Sequence, residues 1–253
     1  MIYSYQRLGT WGALGNQLFE IAGTIGEAVR DKANVSFPSW DYQPYFSVPE
    51  MFFTGQIGDK DFSGDYLQNL NHFSHVDNTI RSFFEPSALS KEYINTRYAD
   101  ILSVNNKTAV HVRRANNVGL PMHHPVCSLD YFEKCIDEVG DTQLVVFSDD
   151  LGWCKSQSLF KDAYFAEGNP DHIDVMSLTN GFPLSLSSVA FDLFLMTEMD
   201  KHIISNSTFS WWGAYLAESS KVLYPMPWYG PAIDIDVEGT MIPSDWIRIE
   251  REI

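Results

Sequence analysis

Basic residues are scarce in this sequence. Its 253 residues include 17 lysines and arginines against 33 aspartates and glutamates, which leaves a formal charge of −16. Such a charge repels phosphodiester backbones, so nucleic acid is not an expected partner, and an anionic ligand would need a local exception. Aromatic residues nevertheless make up 14% of the chain and hydrophobic residues 45%, which excludes a disordered polymer and predicts a folded core.

Cysteines and long apolar runs are also few. The three cysteines, Cys127, Cys135 and Cys154, are odd in number and lack CxxC spacing, which excludes a disulfide scaffold and indicates reduced thiols in the cytoplasm. No run approaches the roughly 18 apolar residues of a membrane span, and Met1–Leu8 lacks the charged and apolar regions of a signal peptide. We therefore expect neither a transmembrane segment nor a signal peptide.

The beginning of the chain shows the pattern of a strand, a glycine turn and a helix. Ile2, Tyr3, Tyr5 and Leu8 predict a first strand. The turn and the apolar face of the helix are formed by Gly9, Gly12 and Gly15, then Leu18, Ile21, Ala22, Ile25 and Val29. The spacing is not GxGxxG, so it predicts no dinucleotide fingerprint. Further along, one helix is predicted near Val76–Phe84, before Pro86.

The second half alternates buried strands with helices. Four short apolar runs that end in polar residues predict strands at Ala109–Val112, Leu144–Phe147, His202–Ile204 and Val222–Tyr224. Helices are predicted by Leu129, Phe132, Ile136 and Val139 after a Ser128 cap, by Val189, Leu193 and Met196, and by Phe209, Trp212 and Leu216. This alternation predicts a parallel, doubly wound sheet, with the best domain boundary near Asn105-Asn106. We expect two α/β halves, 1–105 and 106–253, with a cleft between them.

Two polar segments follow predicted strands, where ligands of such sheets bind. Arg113-Arg114 is the only adjacent basic pair, and two guanidinium forks match the oxygens of a diphosphate; the alternative is internal salt bridges to acids. The segment from Ser205 to Gly213 leaves a strand and enters a helix, where hydroxyls and free N–H groups favour an anion. Simple N-capping would explain only one of its hydroxyls.

Acidic residues raise the alternative of a divalent metal bound to a diphosphate. The candidates are Asp149-Asp150, Asp171, Asp192 and the Asp234-Ile235-Asp236 triplet. The fit is poor, because the triplet lies in a Pro- and Gly-flanked segment and two arginines beside a helix end can neutralise a diphosphate alone. His123-His124 favours a loop over a metal site, since adjacent ring nitrogens face different ways. We expect no metal and no other cofactor.

Several strings taken together resemble a known family. They are Gly12-Ala-Leu-Gly-Asn-Gln-Leu-Phe, Gly64-Asp-Tyr-Leu-Gln with Phe73, Ile80-Arg-Ser-Phe, His111-Val-Arg-Arg, Phe147-Ser-Asp-Asp with Trp153, and Ser205-Asn-Ser-Thr-Phe-Ser-Trp-Trp-Gly-Ala-Tyr-Leu. In this order, from about residue 8 to Trp246, the chain resembles the α-1,2-fucosyltransferases of glycosyltransferase family 11. The HxRR and NSTFSWWGA strings are its most specific part.

The resemblance implies a fold, a reaction and a location. The fold is α/β and GT-B-like, with two Rossmann-like halves facing a central cleft, the first on the acceptor side and the second on the donor side. The reaction is inverting transfer of L-fucose from GDP-fucose to the 2-hydroxyl of a galactose-type residue of a glycan, with no obligatory metal. We expect a cytoplasmic protein, with a peripheral position at the membrane where glycans are assembled as a second option.

The resemblance also implies roles for individual residues. Arg113 would hold the β-phosphate, while Arg114 and His111 would shape the pocket. The positions expected to act in catalysis are Arg113, His111 and Asn116. Asp192 is a candidate acceptor for guanine N1–H and N2–H. The other implied donor-binding residues are Asn16, Gln17, Asp149, Asp150, Ser207, Thr208 and Ser210.

The chain departs from the family string HxRRxD. Asn116 stands in place of the acid, Ala115 replaces the usual Gly, and Glu20 stands where Gln is common. Asn cannot take a proton, so a carboxylate that assists the acceptor hydroxyl or orients Arg114 is missing here. Three alternatives therefore stay open: fucosyl transfer to another hydroxyl, transfer from another GDP-sugar, and a catalytically silent protein that binds nucleotide or glycan.

Overall fold

The computed structural model describes residues 1–167 and 184–252 as two compact units. The first unit combines Met1–Tyr93 with residues 184–190 and Glu238–Ile242, and the second combines residues 94–167, Phe191–Val237 and 243–252. The chain therefore passes from one unit to the other more than once. The boundary predicted at Asn105-Asn106 lies inside the second unit, and Asp171 lies outside the described residues.

The first unit is built on a small parallel sheet. Its strands are β1 (Ile2–Ser4), β2 (Asn34–Ser36) and β3 (Lys60–Asp61), in the spatial order β2-β1-β3. The first predicted strand is confirmed but ends early, because the backbone turns after Ser4. Tyr5 and Leu8 lie in that turn and are still fully buried, so their apolar character reflects burial and not strand pairing.

Helices and short 3-10 turns complete this part of the chain. The helices are α1 (Leu14–Arg30), α2 (Asp77–Phe83), α3 (Ala88–Arg97) and α4 (Ala99–Leu102), and the turns are Gln43–Tyr45, Glu50–Phe52, Leu70–His72 and Ser74–Val76. Helix α2 confirms the helix predicted near Val76–Phe84. Val29 was predicted on the apolar face of α1, but it is 51% exposed because it lies in the last turn, where the helix emerges into solvent.

The second unit contains a larger parallel sheet. Its strands are β4 (Lys107–Val112), β5 (Gln143–Ser148), β6 (Tyr164–Phe165), β7 (Lys201–Ile203), β8 (Lys221–Met226) and β9 (Ile247–Glu250). The four predicted strands are confirmed as β4, β5, β7 and β8. Every residue of β4 is buried, including the polar Lys107, Thr108 and His111, as is typical of a central strand covered on both faces.

The predicted helices of the second half are also present. They are α5 (Leu129–Val139), α6 (Leu151–Ser156), α7 (Leu184–Thr197) and α8 (Thr208–Leu216), of which α6 was not predicted as a helix. Ser128 caps α5 as expected, since its hydroxyl accepts the Tyr131 N–H at 3.3 Å. Leu193 and Met196 of α7 are fully buried, whereas Val189 is 36% exposed and does not mark the buried face.

The strand order of the larger sheet locates its ligand crevice. The order is β6-β5-β4-β7-β8-β9, so the chain moves outward from β4 in one direction and from β7 in the other. This is the order of a doubly wound nucleotide-binding sheet, in which ligands bind beyond the carboxyl ends of the two strands at the reversal. Those two strands are β4, which is followed by Arg113, and β7, which is followed by Ser205.

Candidate active site

A buried serine joins the ends of the two strands at the reversal. The Ser205 hydroxyl donates to the His111 carbonyl at 2.7 Å and accepts the Arg113 N–H at 3.2 Å. Ser205 itself is fully buried. The loop after β7 and the loop after β4 are therefore held together, which fixes where Arg113 leaves the sheet.

Arg113 meets a carboxylate from the third loop at this edge. Its guanidinium donates to Asp149, which follows β5, and the same carboxylate accepts the Arg114 N–H at 2.8 Å. The alternative of an internal salt bridge thus describes how the chain holds this arginine. A guanidinium has five N–H donors, and the others of Arg113 have no partner among the described residues. The side chain is 34% exposed, so these donors remain available to a ligand.

The Arg114 side chain is held by a carboxylate and by an aromatic ring. Its Nε lies 3.3 Å from Asp150 and its guanidinium lies 3.8 Å from the centre of the Trp153 ring. Asp150 also caps α6 by accepting the Trp153 N–H at 3.1 Å. The predicted donor-binding acids Asp149 and Asp150 therefore bind the two arginines, and through them they orient the positive charge.

His111 is a neutral residue at the end of β4. It is buried, and burial, assisted by the charge of Arg113, lowers the pKa of its imidazole to about 3. Its Nδ1 has no hydrogen-bond partner, and its ring lies 5.5 Å from that of Phe209. Because the ring stays uncharged near neutral pH, His111 offers a hydrogen bond and not a positive charge.

The hydroxyl-rich segment begins α8. Ser207 occupies the N-cap position, but its side chain forms no cap hydrogen bond, so the expectation that capping accounts for one hydroxyl is wrong for this residue. Ser210 is fully buried, and its hydroxyl donates to the carbonyls of Ser207 at 3.3 Å and Ser205 at 3.4 Å. Ser210 therefore stabilises the turn, while Ser207 and Thr208 stand half-buried at the positive end of the helix.

The sequence interpretation included Asn206 in this segment but did not connect it with Cys127 and Arg251. The buried Asn206 accepts the Cys127 thiol at 3.8 Å, and its Nδ2 has no partner. Arg251, also buried, donates to the Cys127 sulfur at 3.3 Å and to the carbonyls of Pro125 and Pro227. Nothing in the local sequence around Arg251 indicates this contact, which joins residues 124 positions apart.

Asp192 is a third buried side chain of the second unit with an unpartnered polar atom. It lies on α7, its Oδ1 has no hydrogen-bond partner, and burial raises the pKa of its carboxyl to about 7. A carboxylate is costly to bury without donors, so this oxygen is suited to a ligand that supplies them.

The remaining predicted residues are placed as follows. In the first unit, Gln17 of α1 is buried, donates to the Gly12 carbonyl at 2.9 Å and accepts the Trp40 indole N–H at 2.7 Å. Asn16 accepts from Gln68 at 3.2 Å. In the second unit, Asn116 lies in the 3-10 turn Ala115–Gly119, of which the backbone course is described.

The predicted metal candidates do not come together in the part of the chain that the structure describes. Within residues 1–167 and 184–252, no three His, Cys, Asp or Glu side chains form a cluster that could hold a metal ion. His123 and His124 lie in a turn, as expected, with both N–H groups bonded to the Leu120 carbonyl. Cys127, Cys135 and Cys154 are unpaired and buried, and burial raises the pKa of each thiol.

The site combines a basic pair and a helix end at the reversal of a doubly wound sheet, the position at which such sheets bind phosphate-bearing ligands. The family model of glycosyl transferase family 11 matches residues 29–230. The chain therefore belongs to glycosyl transferase family 11, which confirms the resemblance seen in its strings.

Curated relatives agree with this assignment. The chain is 28% identical over 208 residues to an alpha-1,2-colitosyltransferase of Escherichia coli, covering 77% of this chain and 64% of the relative. It is 32% identical over 133 residues to the O-antigen biosynthesis glycosyltransferase WbnK of Escherichia coli, covering 49% of this chain and 39% of the relative. A galactoside 2-alpha-L-fucosyltransferase of Caenorhabditis elegans is 23% identical over 71% of the chain and 49% of its own length. The chain thus matches less than two thirds of the length of each of these relatives.

Solved structures share the fold. Fucosyltransferase NodZ from Bradyrhizobium superimposes with a TM-score of 0.56 at 12% identity, over 84% of this chain and 92% of that one. A FUT1 variant from Arabidopsis thaliana, in complex with GDP, superimposes with a TM-score of 0.53 at 12% identity, over 88% of this chain and 70% of that one. The expected GT-B-like α/β fold is confirmed. Among the helices described here, none combines the length and the apolar character of a membrane span.

Proposed function

We propose that this protein transfers L-fucose from GDP-fucose to the 2-hydroxyl of a galactose-type residue in a glycan. Family membership supports sugar transfer, and the names of two relatives specify α-1,2 or 2-α linkage. The observation that carries the proposal is the arrangement of Arg113, Arg114 and the Ser207-Thr208 helix end at the carboxyl ends of β4 and β7.

The leaving group is a diphosphate, and its charge grows as the bond to the sugar breaks. In the proposed mechanism Arg113 donates to the β-phosphate with the N–H groups that Asp149 leaves unused. The N–H groups of the first turn of α8 and the Ser207 hydroxyl add donors on the other side. Because Asp149, Asp150 and Trp153 already hold the arginines in position, little reorganisation is needed as the charge develops.

The guanine base is assigned to Asp192. Its unpartnered Oδ1 would accept from guanine N1–H and N2–H, two donors that lie side by side in guanine and are lacking in adenine and uracil. Binding would end the cost of burying this carboxylate without a partner. Asp192 would therefore make the site selective for GDP-sugars.

The acceptor hydroxyl attacks the anomeric carbon from the side opposite to GDP, so the reaction inverts that carbon. The bond from the acceptor oxygen forms, the bond to the β-phosphate oxygen breaks, and the proton of the hydroxyl must leave. Asn116 cannot accept this proton, so the deprotonating group differs from the family's acid or the step is slower. In this proposal the arginines and the helix end supply all of the positive charge, and no metal is required.

Two alternatives have specific support. The colitosyltransferase relative favours transfer of a different sugar from a GDP donor, and Asn116 favours a protein that binds nucleotide or glycan without turnover.

The three buried, unpaired thiols fit a reducing compartment and so support the cytoplasmic location that we propose.

Ligand binding and product analysis test the proposal. We expect GDP to raise the melting temperature more than UDP or ADP does, since native-state binding at a hundredfold excess over the Kd is worth about 2.7 kcal/mol. Incubation of GDP-fucose with galactose-terminated oligosaccharides should then give an α-1,2 product by linkage analysis. Equal melting shifts with GDP and UDP would contradict the guanine assignment, and GDP binding without turnover would favour the silent protein.

A further inference from the structure

Three side chains of the first unit form a layered stack. The rings of Trp11 and Tyr66 lie 4.2 Å apart at an angle of 27°, and the Arg7 guanidinium lies 4.0 Å from the centre of the Trp11 ring. Arg7 is exposed, and both aromatic residues are half-buried. We call these three residues the Arg7–Trp11–Tyr66 stack.

The stack occupies the ligand position of its own sheet. In the order β2-β1-β3 the chain leaves β1 toward β2 on one side and places β3 on the other, so the reversal falls at β1. Arg7 and Trp11 lie in the loop after β1, and Tyr66 lies in the loop after β3. The rule that locates the site of the larger sheet therefore points to these two loops in the smaller one.

The backbone is shaped for this contact. Gly12 has a positive φ of 73°, and a Cβ added there would lie 3.0 Å from Tyr66 Cε1 and 2.7 Å from the Asn16 Cβ. Only a residue without a side chain lets the turn approach Tyr66 so closely. The stack is thus part of the fold and not an accidental meeting of surface side chains.

The polar groups of the stack are unused. Arg7 lies within ion-pairing distance of no carboxylate, and neither the Trp11 indole N–H nor the Tyr66 hydroxyl forms a hydrogen bond, within the described part of the chain. The charge of Arg7 reaches the buried Glu20 only as a longer-range Coulombic interaction, which lowers the pKa of that carboxyl against the larger effect of burial. Three donors therefore surround two partly exposed aromatic rings.

We propose that the Arg7–Trp11–Tyr66 stack binds a galactose-type hexopyranose residue of the acceptor glycan. A galactose ring has one face of C–H groups, which packs on the electron-rich face or edge of an aromatic ring, and a rim of hydroxyls, which accept hydrogen bonds. Tyr66 and Arg7 cover the two faces of Trp11, so the sugar would pack on the edge of Trp11 and the outer face of Tyr66, beside the unused donors. This inference rests on the proposed function, since it names the residues that recognise the substrate to which the sugar is transferred.

Competing ligands fit less well. A nucleotide diphosphate would need several positive groups, and Arg7 is one cation beside aromatic rings. A purely apolar partner would leave the three donors unsatisfied, which costs free energy when they are buried. A neutral sugar satisfies the rings and the donors together.

The test separates acceptor recognition from donor recognition. We expect Trp11→Ala to raise the KM for a galactose-terminated acceptor about tenfold, the upper end of what one aromatic contact supplies. The Kd for GDP and the slow hydrolysis of GDP-fucose by water should stay unchanged. Trp11→Phe should recover most of the acceptor affinity, because a ring remains. Arg7→Met removes an exposed charge without disturbing the core, and it should also raise the acceptor KM.

A matched control lies in the same loop region. Phe62 follows β3, is half-buried, and carries the Lys60 ammonium 4.6 Å from its ring centre, but it packs on Tyr3 and not on Trp11. Phe62→Leu should leave the acceptor KM unchanged. Saturation-transfer NMR of the acceptor with GDP-bound protein gives a readout that needs no turnover, and its signal should weaken in Trp11→Ala and Arg7→Met.

Several results would overturn the inference. Unchanged acceptor KM and unchanged NMR signal in Arg7→Met, together with the same result in Trp11→Ala where that variant folds, would exclude the stack as the acceptor site. A loss of GDP affinity with unchanged acceptor KM would assign it to the donor. Failure of the parent protein to bind GDP would instead contradict the proposed function, so the two failures are distinguishable.

Discussion

Each unit of this protein contains an arginine stacked on a tryptophan beyond the carboxyl end of its sheet, and the two stacks differ in one respect. Arg114 lies 3.8 Å from the Trp153 ring and is paired with Asp150, whereas Arg7 lies 4.0 Å from the Trp11 ring and is paired with no carboxylate in the described residues. A paired guanidinium is held in one orientation, while an unpaired one keeps its donors for a ligand. We interpret Arg114 as an arginine oriented to bind a charged group, and Arg7 as one whose donors can bind a neutral molecule.

The polar groups around the two stacks show the same division. In the second unit, Asp149 and Asp150 hold two arginines, and buried atoms of His111, Asp192 and Asn206 have no partner. In the first unit, the unused donors of the stack are partly exposed and belong to loops around strands of only two or three residues. We therefore expect the second unit to tolerate substitution of its charged groups much less well.

The largest expected effect tests the paired arginines. Arg113→Ala removes a donor to a phosphate that gains charge as GDP leaves, and loss of one preorganised donor lowers turnover by about 10²–10³. Arg113→Lys should recover only part of the rate, because an ammonium lacks the planar fork. The measurement is kcat with GDP-fucose at saturating acceptor.

Arg248→Ala is the matched control. Arg248 is also paired with an acid, Glu250, but it lies on the edge strand β9. It should turn over like the parent. If Arg113→Ala did so too, the role of the paired arginines would be refuted.

The second prediction compares how tightly the two units pack. A Cβ added at Gly26 of α1 would overlap the His72 carbonyl oxygen, which is backbone, whereas one at Gly213 of α8 would overlap the Met196 sulfur, the end of a flexible side chain. We expect Gly26→Ala to destabilise by about 3 kcal/mol or more and Gly213→Ala by about 1 kcal/mol. Denaturant unfolding measures both.

Gly152→Ala provides the control for this series. Nothing lies within 4 Å of an added Cβ at this position in α6, so helix propensity alone should make the variant about 0.5–1 kcal/mol more stable. Equal losses of unfolding free energy in Gly26→Ala and Gly213→Ala would show that the backbone beside α1 moves aside as easily as the Met196 side chain does.

A third prediction concerns the buried acid of the first unit. Glu20 is fully buried, and burial raises the pKa of its carboxyl from 4.5 to about 8. Between these values the folded state keeps a proton that the unfolded state releases, so the free energy of unfolding falls as the pH rises through this window. Glu20→Gln removes the effect, and its unfolding free energy should fall less between pH 5.5 and 9, by about 2–3 kcal/mol.

The control for Glu20 is Glu50→Gln, which changes an exposed acid of the same unit. Its stability should follow the parent at each pH. Parallel curves for Glu20→Gln and the parent would mean that Glu20 is ionised in the folded protein at neutral pH.

The fourth prediction tests guanine recognition in the second unit. Burial raises the pKa of Asp192 to about 7, and only the carboxylate accepts both guanine donors, so we expect the affinity for GDP to fall as the pH drops below 7. Asp192→Asn should bind GDP about tenfold more weakly at pH 8, the cost of about one charged hydrogen bond. The phosphate of GDP also titrates near pH 6, so the informative quantity is the difference between the two pH profiles. Superimposable profiles would remove Asp192 from the guanine site.

The smallest expected effect is none at all. Turnover should be unchanged in excess EDTA, because the arginines and the α8 end supply the charge that stabilises the departing diphosphate. Activity that disappears and returns with magnesium or manganese would make ligands of Asp149 and Asp150, or of Asp234 and Asp236. The second unit would then differ from the first by a metal site as well as by its paired arginines.

The sequence by itself determined the central strands, most helices and the family. Continuous apolar runs such as Leu144–Phe147 are diagnostic because a strand covered on both faces has few polar positions. A capping Ser128 marks a helix start through its own local geometry. Val29 was wrongly predicted to be buried on the apolar face of α1, because periodicity does not show where the last turn of a helix emerges into solvent.

Only the tertiary structure decided how the polar residues pair. The choice of Asp149 and Asp150 as partners of the arginines, out of 33 acids, depends on the pairing of β4 with β5. The Arg251–Cys127 contact and the Arg7–Trp11–Tyr66 stack likewise join loops that are remote in sequence. Periodicity and capping are local properties of the chain, whereas the partners of a side chain are set by which strands become neighbours.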